Sequence, residues 1–344
     1  MRAAVLQDGG RFAVQELPDP EPRGHQAVIR VTYCGICGSD LHAVRAGSLA
    51  PGAVLGHEIV GEVVALGPDA TGFEVGDRVT TLSAVPCDQC DACGAGRYRS
   101  CRNGWQIFGY TGLPGGYAEL LLTHTSIMAK VPGGTPDRVA AFNEPSIVGL
   151  NAVRASRLRL GDVSAIIGAG PIGLLVLLAA NLANAGPVYV IETNGRRREM
   201  ARRLGATDAF DPTVDDVASF FLHTLPAGGP DVVFECAGAP GTLQRAAELV
   251  RPGGQVVVPG VNMEDDTISP LTLIGKECEI LGSLGGGDLF QTALDLLAAG
   301  RLDVEPMVTR IATLEEVDEV FQVLGTNASD DVKVLVAPNG LESR

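Results

Sequence analysis

The sequence predicts an α/β protein built from two unlike halves, and three observations predict it. From Ala3 to about Phe142, strand-like runs such as AVIRVTYCG, EIVGEVVALG, DRVTTL and YAELLL are punctuated by Gly, Pro and Asp, the pattern of a β-rich domain. After Asn151 the rhythm changes to strands alternating with helices: SAIIGA, PIGLLVLLAANLA, VYVIE, GRRREMARRLGA, DVVFECAG, TLQRAAELV and GQVVVPG. That alternation predicts a parallel sheet with helices on both faces. The third observation is Gly168-Ala-Gly170-Pro171-Ile172-Gly173, a glycine-rich turn between one of these strands and its helix, as doubly wound sheets carry.

Bulk properties narrow the function. A chain of 344 residues is long enough for two domains. Its net charge of -15, from 26 basic and 41 acidic residues, excludes nucleic acid and anionic lipid as expected partners, because either needs a basic face. Residues 163–191 contain no charged side chain and have the length of a membrane span, but Gly168, Gly170, Pro171 and Gly173 near the start and Gly186 and Pro187 near the end cut them into strand, helix and strand. The N-terminal MRAAVLQDGGRFAVQEL has no apolar signal-peptide core, so a cytoplasmic address and reduced thiols are expected.

The glycine-rich turn is a dinucleotide-binding fingerprint of the Rossmann type. Gly168 makes the tight turn, Gly170 lets backbone approach a pyrophosphate, Gly173 permits close helix packing, and Pro171 and Ile172 open a helix whose free amides face the phosphates. Glu192 ends the next strand, where a carboxylate accepts from the ribose hydroxyls and repels a 2′-phosphate, which favours NAD over NADP. Arg197, between Arg196 and Arg198, stands just past it and suits a phosphate, so NADP stays open.

Four of the eight cysteines fall in CDQCDACGAGRYRSC, as Cys87, Cys90, Cys93 and Cys101. In a reduced setting this spacing points to a tetrahedral structural zinc. Upstream, CGICGSDLH and GHEIVGE bring Cys37, His57 and Glu58 within a short span, a ligand set suited to an open, catalytic zinc. Each member also has a plain reading: Cys34 and Cys37 as a redox CxxC, His57 as a core histidine, Glu58 as a turn residue. Trp105, Phe108 and Tyr110 either line a substrate site or pack the cysteine lobe.

The order of these parts, CGICGSDLH, GHEIVGEVVALG with FEVGDRV, the four-cysteine lobe, YAEL, EPSIVGLNAV and GAGPIG, resembles the zinc-containing medium-chain dehydrogenase/reductase family over nearly the whole chain. Within it the chain looks most similar to the polyol (sorbitol) and threonine dehydrogenase branch, because Asn143-Glu144-Pro145-Ser146 has a glutamate where classical alcohol dehydrogenases have another cysteine. The resemblance implies a GroES-like catalytic domain with the structural zinc lobe (1–145), a Rossmann NAD-binding domain (146–282) and a C-terminal return to the first domain (283–344). It implies a catalytic zinc on Cys37, His57 and a carboxylate, Glu58 or Glu144. It further implies Ser39 as the hydroxyl touching the substrate oxygen, Asp40 behind the ligands and His42 as the proton outlet. Cys34, Cys236 and Cys278 match no ligand position.

The implied activity is hydride transfer between NAD and a secondary alcohol, polyol or sugar-like hydroxyl. Two alternatives are a biosynthetic dehydrogenase acting on an amino alcohol, aminocyclitol or amino acid, and a non-catalytic zinc- and NAD-binding structural or redox-sensing protein. The expected partners are a small alcohol or ketone and further copies of the chain, as a homodimer or homotetramer paired through the sheet edge near Glu279.

Overall fold

The computed structural model describes residues 1–340 apart from 88, 95–99, 105, 184–185, 264 and 326–328. Trp105 therefore lies outside the described residues. The chain divides into two compact units, Met1–Glu144 together with Val308–Arg344, and Pro145–Met307.

The first unit is built on a seven-stranded sheet. Its backbone path runs Val308–Ala312, Lys333–Val336, Gln26–Gly35, Glu58–Leu66, Arg78–Thr81 and Met128–Lys130, and Leu120–His124 pairs with Gln26–Gly35 off that path. Gln26–Gly35 is the hub. Its last residue, Gly35, opposes Glu58 on one side and Leu335 on the other, both antiparallel. Residues from opposite ends of the sequence are thereby fixed one strand apart, about 4.8 Å. The core beneath includes Ala3, Val5, Ile29, Ile59, Phe108, Tyr117, Val320 and Phe321.

The second unit is a six-stranded, wholly parallel sheet in the order Asp208–Phe210, Val188–Ile191, Ser164–Ile167, Val232–Glu235, Gln255–Val258, Glu279–Gly282. The first strand of the unit sits in the middle and the order reverses beside it, the doubly wound arrangement that the alternating pattern predicts. Strands buried at every position, such as Ser164–Ile167 and Val188–Ile191, explain the unbroken apolar runs in the sequence. The helix Pro171–Leu182 is buried at every residue from Gly173 to Ala180, so the uncharged stretch belongs to a packed core helix. Among the described residues no helix is long and apolar enough to cross a membrane.

The return to the first unit begins at Val308, later than the expected position 283. The reason is packing: the amphipathic helix Phe290–Ala298 buries Phe290, Ala293, Leu294 and Leu297, and the segment before Val308 clusters with the parallel-sheet unit.

Candidate active site

The helix Gly38–Arg45 starts the site. Cys37 is its N-cap, and a capping box links the Cys37 sulfur to the Asp40 amide and the Asp40 carboxylate to the Cys37 amide. The sequence CGSD thus fixes the thiol and presents Ser39 and Asp40 in the first turn. Ser39 Oγ lies 3.2 Å from Cys37 Sγ. His42, one turn on from Ser39, is half-buried, and burial followed by the Arg45 charge lowers its pKa.

Across the sheet, the strand Glu58–Leu66 delivers His57 and Glu58. Ligand atoms of Cys37, His57 and Glu58 all lie within 4.8 Å of one another. Behind His57, Asp40 is fully buried, with Oδ1 3.4 Å from His57 Nδ1. A carboxylate on Nδ1 leaves Nε2 for a metal, the usual support for a ligating histidine. Burial alone would raise the Asp40 carboxyl, but the His57 charge and the hydroxyls of Tyr117 and Tyr110 outweigh it and hold it below its ordinary range.

Glu58 is paired from the far side by a residue the motifs did not reveal. Lys333, only 1% exposed, places Nζ against Glu58 Oε2 and donates to the Ile36 carbonyl at 3.0 Å. Burial would lower its pKa, but the charges of Glu58 and Cys37 more than offset that, so it stays an ammonium. Gly35 makes the pair possible, since a Cβ there would overlap the Glu58 carboxylate and approach Lys333 Cε to 2.8 Å. Glu144 stands outside the tight cluster. Burial raises its carboxyl, and the Glu58 charge adds to this, while His57, Lys333 and a hydrogen bond with Ser83 pull the other way. Phe108 is a fully buried core residue, whereas Tyr110 reaches Asp40 and Ser39.

In the lobe, the sulfurs of Cys87, Cys90, Cys93 and Cys101 also lie within 4.8 Å of one another. The Cys87–Cys93 separation of 3.7 Å agrees with the edge of a tetrahedron of thiolates about 2.3 Å from a central zinc, roughly 3.8 Å. The amides of Arg102 and Cys93 bring Cys90 down to about 6. Burial pushes Cys93 up to about 12. Both clusters therefore fit zinc by donor type and spacing. Cys34 is buried in a strand, while Cys236 and Cys278 adjoin strands and join neither cluster.

In the parallel-sheet unit, Gly168 follows Ser164–Ile167 with φ 93°, a conformation open to glycine. A Cβ on Gly173 would strike the Gly168 carbonyl oxygen, and Pro171 opens the helix after its N-cap Gly170. Glu192 is buried. Its carboxylate accepts from the Ala169 amide at 2.7 Å and the Asn194 amide at 2.8 Å, tying the glycine turn to the second strand. Arg198 is committed to the Glu192 and Thr193 carbonyls and to Asp211 at 3.0 Å. Arg197 is half-buried on the helix Gly195–Arg203.

Residues 23–133 match the alcohol dehydrogenase GroES-like domain and residues 171–299 match the zinc-binding dehydrogenase domain. The chain is 30% identical to the sorbitol dehydrogenase of Bacillus subtilis over 98% of both proteins. It is 31% identical to the (R,R)-butanediol dehydrogenase of the same organism, over 98% of this chain and 100% of that one. The chain belongs to the zinc-containing medium-chain alcohol dehydrogenase family. A candidate zinc-binding dehydrogenase from Sinorhizobium meliloti 1021, bound to NADP, superposes with a TM-score of 0.89 at 33% identity, covering 98% of this chain and 99% of that one. As a member of the family the protein is an oxidoreductase with a GroES-like unit and a Rossmann unit.

Proposed function

We propose that the protein catalyses reversible oxidation of a secondary alcohol or polyol with a nicotinamide dinucleotide, NAD in preference to NADP. The observation that carries this reading is the Cys37–His57–Glu58 cluster with a serine hydroxyl 3.2 Å from its thiol. That is a metal-ligand set with a proton acceptor beside it. The sorbitol and butanediol dehydrogenases to which the chain is similar supply the substrate class.

Cys37, His57 and Glu58 would hold the catalytic zinc, with Glu144 in reserve as a carboxylate near the cluster, and Cys87, Cys90, Cys93 and Cys101 the structural one. When bound, zinc supplies Lewis acidity that eases loss of the alcohol proton. Ser39 Oγ would accept that proton as its own hydroxyl proton is passed on toward His42. His42, one turn on in the same helix and half-buried, with its pKa lowered by burial and then by the Arg45 charge, exchanges protons with solvent. Asp40 holds the His57 ring, and Lys333 balances the Glu58 charge so that the cluster does not bury an unpaired carboxylate. In the Rossmann unit the turn Gly168 to Gly173, with Pro171 and Ile172, would receive the pyrophosphate. Glu192 and the nearby Arg197 bear on the adenosine ribose, and the carboxylate favours NAD.

The edge strand Glu279–Gly282 supports a homodimer or a larger homo-oligomer. It pairs with Gln255–Val258 on one side, and the helix before it exposes Leu271 (76%) and Ile274 (72%).

The test is a cofactor-reduction screen with NAD and with NADP against secondary alcohols, polyols, amino alcohols and sugars. NAD-linked turnover of at least one polyol or vicinal diol is expected. A protein that holds two zincs and binds NAD yet turns over nothing in the panel would be a non-catalytic member of the family.

A further inference from the structure

We propose that Lys333 is a positioning residue that holds back one oxygen of Glu58 and so loosens the grip of the Cys37–His57–Glu58 set on a divalent cation. This rests on the metal site proposed above. Two of the three ligands are backed by buried charges, and the charges have opposite signs. Behind His57 stands the fully buried Asp40, with Oδ1 3.4 Å from Nδ1. A carboxylate there makes the ring more basic and strengthens its donation to a metal. Behind Glu58 stands Lys333, whose Nζ contacts Oε2. An ammonium on a carboxylate draws on the electron pairs that a metal would use, and its charge repels that metal.

The lysine is fixed where it stands. It is 1% exposed, its Nζ donates to the Ile36 carbonyl at 3.0 Å, and its strand Lys333–Val336 is pinned by register, Leu335 opposite Gly35 and Gly35 opposite Glu58. A Cβ on Gly35 would overlap Glu58 Oε2 and lie 3.1 Å from Lys333 Nζ, so the pair sits directly over that bare backbone. After Glu58, the anions whose charge reaches Lys333 are Cys37 and Glu144, which belong to the cluster or stand beside it. A buried ion pair is seldom more stable than apolar side chains of the same volume. What a lysine adds at this position is therefore its charge, and that charge faces the ligands. A metal that receives less charge from its ligands keeps more Lewis acidity for an alcohol.

Zinc binding tests this, with neither alcohol nor cofactor present. Zinc-loaded protein is equilibrated against zinc buffers of stepped free concentration and the bound metal is counted, the step that belongs to the cluster being the one lost in Cys37→Ser. Lys333→Met should move that step to a free zinc concentration about tenfold lower, the size of effect common for groups behind a ligand. Asp40→Asn should move it about tenfold the other way, and the step of the four-cysteine lobe should stay in place in both variants. A lysine that merely braces Glu58 as a ligand would give the other sign, because its loss would loosen the site. A cluster step that is unmoved in Lys333→Met, or moved to higher zinc, therefore overturns the proposal. If Lys333→Met does not fold, Lys333→Gln, which keeps a donor for the Ile36 carbonyl, answers the same question. A protein that oxidises no alcohol would lose the proposed function, while the zinc step would still decide the role of Lys333. A Cys37→Ser protein that keeps both steps would remove the metal site and this proposal with it.

Discussion

The four-cysteine lobe and the Cys37–His57–Glu58 site use overlapping ligand chemistry but are held together by different means. In the lobe, two-residue strands, Ala84–Val85 and Gln106–Ile107, and the short helix Asp91–Gly94 surround the thiols, and the contacts to sulfur are backbone amides such as Cys93 to Cys90 at 3.4 Å. In the other site the ligands sit on a helix N-terminus and a central strand of a seven-stranded sheet. Asp40, Tyr117 and Lys333, all buried, brace them from behind. On the proposed reading the lobe would depend on a metal for its structure, whereas protein contacts brace the Cys37–His57–Glu58 set from behind. An isolated loop of thiolates gains its folding free energy from zinc. A buried set of paired charges is fixed by the surrounding sheet.

The largest expected effect follows from breaking the lobe. Cys90→Ser should lose one of about two zincs per chain and lower the thermal midpoint by about 10 °C, because metal binding there is folding free energy. Elemental analysis with calorimetry checks it, and a variant that keeps both zincs would place the lobe's stability in its protein contacts instead.

Next comes the brace. Lys333→Met should destabilise the fold by about 3–5 kcal/mol, the cost of stranding a buried carboxylate. Adding Glu58→Gln should recover much of that loss in urea unfolding. A simple sum of the two single-variant losses would mean that the ion pair is not what couples them.

The smallest effect serves as a control, because it touches neither cluster. Asp318, on the return helix Val317–Leu324, accepts from Arg11 Nε at 2.9 Å and the Phe12 amide at 2.8 Å, and hydrogen bonding to Arg11 depresses its carboxyl below the usual 3.8. A depressed carboxyl contributes stability that is present above its unfolded pKa and lost as pH falls through the folded one. Asp318→Asn should therefore lower the thermal midpoint slightly at neutral pH, and the gap to wild type should close as pH falls below 3.8 and through the depressed folded pKa. Zinc content and turnover should not change.

What was legible in the sequence was local. Cys87 to Cys101, CGICGSDLH with GHE, and Gly168 to Gly173 each gather their residues within one or two adjoining elements, so spacing alone indicates which side chains the fold brings together. The alternation after Asn151 likewise announced a parallel sheet, because both faces of its central strands are buried. Lys333 was not legible as a partner of Glu58, since only the strand register through Gly35 joins them, although a lysine opening the buried strand KVLV was a signal. Tyr110, read only as a substrate-site or lobe residue, and Tyr117, present only as the start of YAEL, are likewise separated from Asp40 by 70 and 77 residues, and nothing in either reading joined them to it. The start of the return escaped for a related reason. The helix Phe290–Ala298 is amphipathic in either unit, and only its packing partners decide where it belongs.

The most direct test of a catalytic metal site separate from a structural one is the zinc content of Cys37→Ser, measured on the same sample as its thermal midpoint and turnover. One zinc per chain, a midpoint close to wild type and no alcohol oxidation are expected, because the lobe keeps its metal and the sheet keeps the emptied site folded. Two retained zincs with wild-type turnover would contradict the account, since Cys37 would then be neither a ligand nor a participant.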